Sequence, residues 1–401
     1  MRVLMLSDVY FPRINGVSTS IETFRRQLPA HGVRSTLLAP DYGGDGPAAV
    51  QEDVLRIAGR PVPGDPEDRI MRWRDACRAL DALPLTDYDA IHIQTPFLAH
   101  YLGSRLRRKT GLPTVVTYHT LFEDYLHHYA PWLPRPALRA FARRLSRQQC
   151  NAVDAVIAPS SAMAERLRDF GVRQPIHILP TGIPVAHYAK GNGARFRARF
   201  GFSAERPLAL YVGRLAFEKN LHFLLDVAEQ LRHKQSTARI LLAGDGPANV
   251  PLREAVKSRG LSDSVAFVGY LSREDELPDC YAAADAFVFG SKTETQGLVL
   301  LEAMAAGLPV VCLAEMGVRD VVANCPAART PPAEAAPFAQ ALIDLLAHPD
   351  RKTTLARAAR AHAAEWSDAA MAARLATLYR QLIAPGSRSL SGELHGKPVQ
   401  G

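Results

Sequence analysis

Residues 287–311 read FVFGSKTETQGLVLLEAMAAGLPVV. An apolar run at Phe287–Phe289 suits a strand, and residues 290–296 form a polar loop. Gly297 then opens a helix that runs to Ala306, and a second apolar strand follows near Leu308–Cys312. The helix is apolar almost all the way round, so it is expected to be buried. Its single ionisable residue, Glu302, shares a face with Leu298 and Ala305. A carboxylate buried without partners is costly, so Glu302 calls for donors. Glu294 lies eight residues earlier, in the loop that feeds the helix. The free N–H groups of the first turn, at Gly297 and Leu298, favour an anion in the same space. Two carboxylates that accept from hydroxyls, beside a helix N-terminus that favours phosphate, suggest a sugar-nucleotide site. The plainer alternative is a buried helix whose Glu302 bonds a neighbouring loop.

The strand–helix rhythm extends in both directions. Upstream, candidate strands at Val3–Leu6, Ser35–Ala39, Ala90–Ile93, Thr114–Thr117, Ala155–Ala158 and His177–Leu179 alternate with helices such as Thr19–Leu28, Phe97–Lys109 and Ser161–Phe170. Alternation of this kind predicts an α/β fold with a mostly parallel, doubly wound sheet. Pro and Gly cluster at residues 180–193, PTGIPVAHYAKGNG, as at a domain boundary. The rhythm then restarts with strands Leu208–Val212, Ile240–Ala243 and Val265–Val268 and helices Leu221–Arg232 and Leu252–Arg259. Two doubly wound, Rossmann-like units of similar size result, and ligands on such sheets bind at the carboxyl ends of strands. A cleft between the units is therefore the expected site. A last helix, Asp368–Ile383, lies beyond the second unit's strands, and the tail APGSRSLSGELHGKPVQG has the composition of a disordered segment.

At 401 residues the chain is too long for one core of ordinary size, in keeping with two units. No apolar run approaches the roughly 18–20 residues that span a bilayer. MRVLMLSDVYFP lacks the long apolar core and cleavage site of a secretory leader. Five scattered cysteines without metal-type spacing suit reduced thiols. A cytoplasmic protein is the expectation. The net charge of +8 is local: residues 101–150 hold nine Lys/Arg against two Asp/Glu, hence +7. Such a patch implies a surface that meets something anionic.

Several loops carry residues suited to a nucleotide sugar. After the first strand, SDVYFPRINGVSTS places Gly16 between strand and helix, with Ser18 or Thr19 as the expected cap. Gly16 permits close approach of backbone to a phosphate, though a tight strand–helix turn explains it equally well. The loop is not G-x-G-x-x-G, which weighs against a simple dehydrogenase. After Leu208–Val212, Arg214 and Lys219 could neutralise a pyrophosphate without a metal ion; by themselves they could also be solvated cations. LLAGDGP, residues 241–247, is a strand followed by a Gly-rich turn. The strand end at Phe267–Leu271, with Tyr270 in it, could present groups to a base.

Taken together, the Arg214/Lys219 loop, LLAGDGP and TETQGLVLLEAMAAGLPVV with its E-x₇-E spacing resemble the family 4 glycosyltransferases of GT-B fold, over about residues 1–385. INGVSTSI, HIQTPFLAHYLG, TYHTLFEDYLHHY and TETQGL are most similar to the bacterial diacylglycerol glucosyltransferases. The resemblance implies an acceptor-binding domain at residues 1–185, a nucleotide-sugar domain at 186–365, and a helix at 366–385 that crosses back onto the first domain, with 386–401 disordered. It implies a retaining, metal-independent hexosyltransferase that needs no cofactor, since the nucleotide sugar is itself a substrate. Gly16 N–H would meet the distal phosphate. Arg214 and Lys219 would hold the pyrophosphate as a leaving group, with Tyr270 also on the donor side. Glu294 would bond the sugar hydroxyls, Gly297 and Leu298 would complete the phosphate cradle, and Glu302 would bond the ribose. His119 in TYHT would contact the donor sugar, although outside the family a histidine at a strand end is more often structural. Asp8 is an alternative proton acceptor, with capping of a loop as its plainer role. INGV replaces the double-glycine form found elsewhere in the family, which loosens any inference about the sugar.

In RPALRAFARRLSRQQC, residues 135–150, Arg135, Arg139, Arg143 and Arg147 recur at i+4 with Arg144 beside them. Leu138, Phe141 and Leu145 lie on a neighbouring apolar side, and His127, His128, Tyr129 and Trp132 precede the helix. A basic amphipathic helix led by aromatics suits an anionic membrane surface, the alternative being a solvated face packed through Leu138 and Phe141. No nucleic-acid motif accompanies it. The leading expectation is transfer of a hexose from UDP-glucose to a lipid such as diacylglycerol by a protein peripheral on the inner membrane face. A GDP-mannose-dependent transferase, a soluble or polysaccharide acceptor, a sugar-nucleotide epimerase and a silent binding protein are the alternatives.

Overall fold

The computed structural model describes residues 1–43, 53–62, 65–119, 134–348 and 351–384. The chain divides into two units, Met1–Gly182 with Asp368–Gly401, and Ile183–Ser367. The expected tail falls outside the described residues, as do Trp132, His127, His128 and Tyr129.

In the first unit the strands are β1 (Arg2–Leu6), β2 (Arg34–Asp41), β3 (Val54–Val62), β4 (Asp65–Met71), β5 (Ala90–Ile93), β6 (Thr114–Thr117), β7 (Ala155–Ala158) and β8 (Ile176–Ile178). Their spatial order is β4-β3-β2-β1-β5-β6-β7-β8. All pairings are parallel except β3 with β4. Parallel strands covered on both faces read as unbroken apolar runs, and successive residues of β1 show why. Val3 and Met5 join one buried cluster with Ile21, Ala90, Val115 and Leu375, while Leu4 and Leu6 join the other with Ile91, Leu102 and Val156. The first of these clusters takes in the last helix, Asp368–Ile383, through Met371, Ala372, Leu375, Ala376, Leu378 and Tyr379.

The β3–β4 hairpin was not expected from the sequence. Its segment, VLRIAGRPV followed by DPEDRIM, carries prolines and charges tolerated only at a sheet edge, and there it sits. The first helix spans Gly16–Gln27, three residues earlier than expected, because Asn15 and not Ser18 or Thr19 is its cap. Asn15 Oδ1 accepts from Val17 N at 3.0 Å and Ser18 N at 2.9 Å, and Ser18 Oγ accepts from Asn15 N at 2.9 Å, a reciprocal capping box.

The second unit holds β9 (Leu208–Val212), β10 (Arg239–Ala243), β11 (Val265–Gly269), β12 (Ala286–Phe289), β13 (Val310–Cys312) and β14 (Ala328–Arg329) in the order β11-β10-β9-β12-β13-β14, all parallel. Residues 287–311 form β12, the helix Leu298–Ala306 and β13, as read from the sequence. Gly297 is the cap of that helix, in the left-handed region at φ 86°.

Both sheets reverse their winding direction once, between β1 and β5 in the first unit and between β9 and β12 in the second. The crevice at the carboxyl ends of such a strand pair is where open α/β sheets receive ligands. The loops after β1, β5, β9 and β12 therefore border these two crevices.

Candidate active site

At the second unit's reversal point, the loops after β9 and β12 meet. Lys219 Nζ donates to Glu294 Oε1 at 2.5 Å, both side chains about one-fifth exposed. A pair that is short, charged and only partly hydrated is among the stronger contacts a surface loop can make. Asn220, at φ 55°, turns the β9 loop into the helix Leu221–His233, and its Nδ2 donates to Gly290 O at 2.9 Å. Thr293 Oγ1 donates to Glu218 O at 3.4 Å. From behind, Gly317 N donates to Glu294 O at 2.9 Å, and a Cβ on Gly317 would lie 2.1 Å from Thr295 O. Residue 317 must be glycine for the Glu294 loop to keep its path. Gly244 of LLAGDGP is constrained in the same way: at φ 137°, its Cβ would meet Gly213 O at 1.9 Å.

Arg214 lies exposed in the same loop as Lys219, and its guanidinium has no hydrogen-bond or ion-pair partner among the described residues. Beside Glu294, the helix Leu298–Ala306 starts without any side-chain cap at Gly297. One committed carboxylate, two cations and an uncapped helix start therefore share one strand-end surface. Tyr270 follows Gly269 at the end of β11 and is 71% exposed.

Glu302 is 2% exposed, and both its oxygens are engaged: Oε1 accepts from Arg273 Nη2 at 2.6 Å and Oε2 from the Tyr281 hydroxyl at 2.8 Å. Arg273 Nη2 also donates to the Tyr188 hydroxyl at 3.0 Å. Burial, and after it the neighbouring carboxylate, holds both tyrosine hydroxyls well above their usual pKa, and Glu302 raises that of Arg273. The sequence supplied Glu302 with a need for donors but not their identity. Arg273 and Tyr281 lie 29 and 21 residues away with no spacing signal.

In the first unit, Gly16 is exposed, has ordinary negative φ, and a Cβ built there would have no heavy atom within 4 Å. Among the described residues no contact demands glycine at this position. His119 follows β6, and its Nε2 lies 3.0 Å from Gln94 Oε1, at the end of β5. Burial pushes its pKa down to about 4, so the ring is neutral. Asp8 caps a helix that lacks a cap of its own. Its two oxygens accept from Ala99 N at 3.2 Å, at the start of Leu98–Thr110, and Oδ2 accepts from Thr95 Oγ1 at 2.7 Å. Burial nevertheless raises its pKa to about 6, against the lowering effect of those bonds.

The helix Arg135–Cys150 buries Leu138, Ala142, Ser146 and Gln149. Phe141, which only the alternative of a packed helix placed against the unit, is 57% exposed, because the buried stripe runs along the i, i+4, i+8 and i+11 positions from Leu138 and leaves residue 141 outside it. Arg139 and Arg144 flank it on the surface. Arg143 lies over the Phe170 ring at 5.5 Å, and the Arg147 stem packs where a Cβ on Gly171 would sit 3.1 Å away. Those two arginines are exposed but lean back onto the unit. Among the described residues no group of three His, Cys, Asp or Glu is placed to hold a metal ion, and no helix is long and apolar enough to cross a membrane.

The second unit's reversal point thus joins a Lys–Glu pair to a helix start without a side-chain cap. Residues 14–187 match the model of Glycosyltransferase Family 4, and residues 194–362 that of Glycosyl transferases group 1. An alpha-monoglucosyldiacylglycerol synthase of Streptococcus pneumoniae is 32% identical over 78% of this chain and 70% of its own length. A GDP-mannose-dependent alpha-mannosyltransferase of Mycobacterium tuberculosis is 29% identical over 80% of this chain and 81% of its own. Among solved structures, sucrose-phosphate synthase from Thermosynechococcus elongatus superposes with a TM-score of 0.75 at 24% identity, over 95% of this chain and 98% of that one. The chain belongs to the family 4 glycosyltransferases, has the GT-B fold, and resembles the bacterial diacylglycerol glucosyltransferases.

Proposed function

We propose that this glycosyltransferase moves glucose from UDP-glucose to a lipid acceptor such as diacylglycerol at an anionic membrane surface, with retention of anomeric configuration and without a metal ion. The observation that carries the donor half is the Lys219–Glu294 pair at 2.5 Å beside the uncapped helix start at Gly297. Cleavage of the bond between anomeric carbon and phosphate oxygen builds charge on the departing diphosphate. Cations already fixed by the protein act most strongly on that developing charge, because they need not reorganise. Lys219 is so fixed by Glu294, and Arg214 stands unpartnered to add a bidentate contact. Gly297, Leu298 and the Gly16 N–H would complete the phosphate cradle, with Tyr270 on the donor side. Glu294 keeps an oxygen for a sugar hydroxyl, and His119 would contact the sugar. An ionised carboxylate has about four acceptor sites. Glu302 uses two on Arg273 and Tyr281, which leaves capacity for ribose hydroxyls. The acceptor would attack on the face the phosphate leaves, with that phosphate taking its proton.

The acceptor half rests on the exposed Phe141 between Arg139 and Arg144, an aromatic wedge among cations that suits an anionic interface, and on relatives named for glucosyldiacylglycerol synthesis. The mannosyltransferase relatives keep GDP-mannose as the second donor reading.

The test is incubation with each donor in turn and vesicles of phosphatidylglycerol doped with diacylglycerol. A hexosyl lipid of α configuration from UDP-glucose is expected. Product from GDP-mannose alone would select the second reading. Donor turnover to an epimer without vesicles would overturn both. Equal binding of wild type and Arg139→Glu/Arg144→Glu to anionic and neutral vesicles would sink the membrane half.

A further inference from the structure

The first unit carries a polar ladder that the reading above does not use. It lies on the sheet face covered by the helices Gly16–Gln27 and Asp368–Ile383, in a cluster otherwise built of residues such as Val3, Met5, Ile21 and Leu375. Side chains two apart on a strand share a face, so Ala90, His92 and Gln94 follow one another along β5 and its end, and Val115, Thr117 and His119 along β6 and its end. The strands are in register with His92 opposite Val115. The lower rung is closed: His92, 1% exposed, has Nδ1 2.6 Å from the Tyr379 hydroxyl and Nε2 2.6 Å from Thr117 Oγ1. The upper rung is the 3.0 Å contact of Gln94 Oε1 with His119 Nε2, at the carboxyl ends of the strands. Gln94 is 4% exposed, and its backbone N donates to Leu6 O at 2.8 Å, so it is anchored on β1.

We infer that Gln94 is a positioning residue for His119: its side-chain oxygen holds the imidazole as the Nε2–H tautomer and leaves Nδ1 as the acceptor for a hydroxyl of the donor hexose. The inference rests on the proposal that His119 contacts the donor sugar. A neutral imidazole has one donor and one acceptor nitrogen, and the bond made by one decides the role of the other. Among the described residues, every other group lining the small cavity beside His119 leaves it uncharged. Ser20 faces it from the first helix, His92 and Thr117 from the sheet, Thr181 from beyond β8 and Leu375 from the last helix, with no carboxylate among them. An amide oxygen is therefore the acceptor that fixes the ring without attracting a second proton. A carboxylate in its place would draw that proton and remove the acceptor.

Nitrogen-15 labelling of the histidines, with the His119 signal assigned by its loss in His119→Ala, reads the tautomer directly near neutral pH. The Nε2–H form is expected in wild type, and a tautomer mixture in Gln94→Leu. An Nδ1–H form in wild type, or an unchanged tautomer in a folded Gln94→Leu protein, overturns the inference. In the transfer assay, Gln94→Leu is expected to lower kcat about 10-fold or more, since small misplacements of a contacting group have effects of that order. Gln94→Glu is expected to move the acid limb of the pH–rate profile up by about 1–3 pH units, the shift an adjacent carboxylate gives. A merely structural glutamine would leave that limb in place, and an unmoved limb with a glutamate at position 94 counts against us whatever Gln94→Leu does. His119→Ala separates the two levels. If it leaves turnover intact, the reading of His119 as a sugar contact has failed. If it abolishes turnover while both Gln94 variants behave as wild type, only the inference about Gln94 has failed.

Discussion

The two units use glycine in opposite ways. In the second unit, Gly244 and Gly317 are glycine because protein atoms already occupy the place of a side chain, 1.9 Å and 2.1 Å from where Cβ would be. In the first, Gly16 faces open space, with nothing within 4 Å. The crowded glycines let loops interlock, and so fix Lys219 and Glu294 before any ligand arrives. The open one meets no atom of the described residues, and under the proposed function that space faces the donor phosphate. Filled glycine space is evidence of preorganisation, and open glycine space at an ordinary backbone angle leaves room that the proposed function gives to the donor.

Four substitutions would break or sharpen this contrast. Lys219→Ala should have the largest effect, a loss of about 10²–10³ in kcat, the usual result of removing one fixed charge-stabilising donor. A loss confined to donor KM would mean that the pair serves ground-state binding only. Gly317→Ala should destabilise the fold by about 1–3 kcal/mol, the range for overpacking. A thermal melt indistinguishable from wild type would show that the Thr295 backbone yields freely, and the loop would not be preorganised. Gly16→Ala is expected to leave stability within about 0.5 kcal/mol while weakening UDP-glucose binding by about 10-fold, measured by titration calorimetry. Unchanged binding would leave Gly16 without a guest.

The smallest effect concerns Asp8. Its pKa is about 6 in the folded protein against an ordinary 3.8, so the folded state holds a proton that the unfolded chain has lost. The stability this contributes is fully present below 3.8 and is lost as pH rises to about 6. Wild type should therefore gain stability relative to Asp8→Asn when pH is lowered from about 6 to about 4, in denaturant titrations. Parallel pH dependences of the two proteins would show that the helix start at Ala99 stabilises the ionised carboxylate as much as burial opposes it.

Most strands and the E-x₇-E helix were legible in the sequence because parallel strands buried on both faces leave unbroken apolar runs. The antiparallel β3–β4 hairpin was not, since its prolines and charges lie at an edge where no periodic pattern is imposed. Site residues divide in the same way. Lys219 and Glu294 stand in loops that follow recognisable strands, and Gly16 opens the helix after β1. Partners that act across the chain left no local mark: Arg273 under Glu302, Gln94 against His119, and Ala99 on Asp8, 91 residues away. Asn15 could have been found as the cap, because Asn leads at that position and Ser18 stands where the reciprocal bond requires it. Of the two residues through which the alternative reading packs the helix Arg135–Cys150, Leu138 is buried and Phe141 is not, because only Leu138 lies on the stripe that the unit covers.

The helix Asp368–Ile383 sets an order of assembly. The second unit is one continuous stretch, Ile183–Ser367, and every residue of it emerges from the ribosome before this helix does. The first unit, though begun earliest, lacks Met371, Leu375 and Tyr379 in its core until the helix arrives. Until then His92 has no Tyr379 hydroxyl on Nδ1. The usual rule that the N-terminal domain folds first during synthesis is thus reversed for completion. A nascent chain arrested just short of residue 368 would carry all of the second unit and a first unit with one face of its sheet incompletely covered.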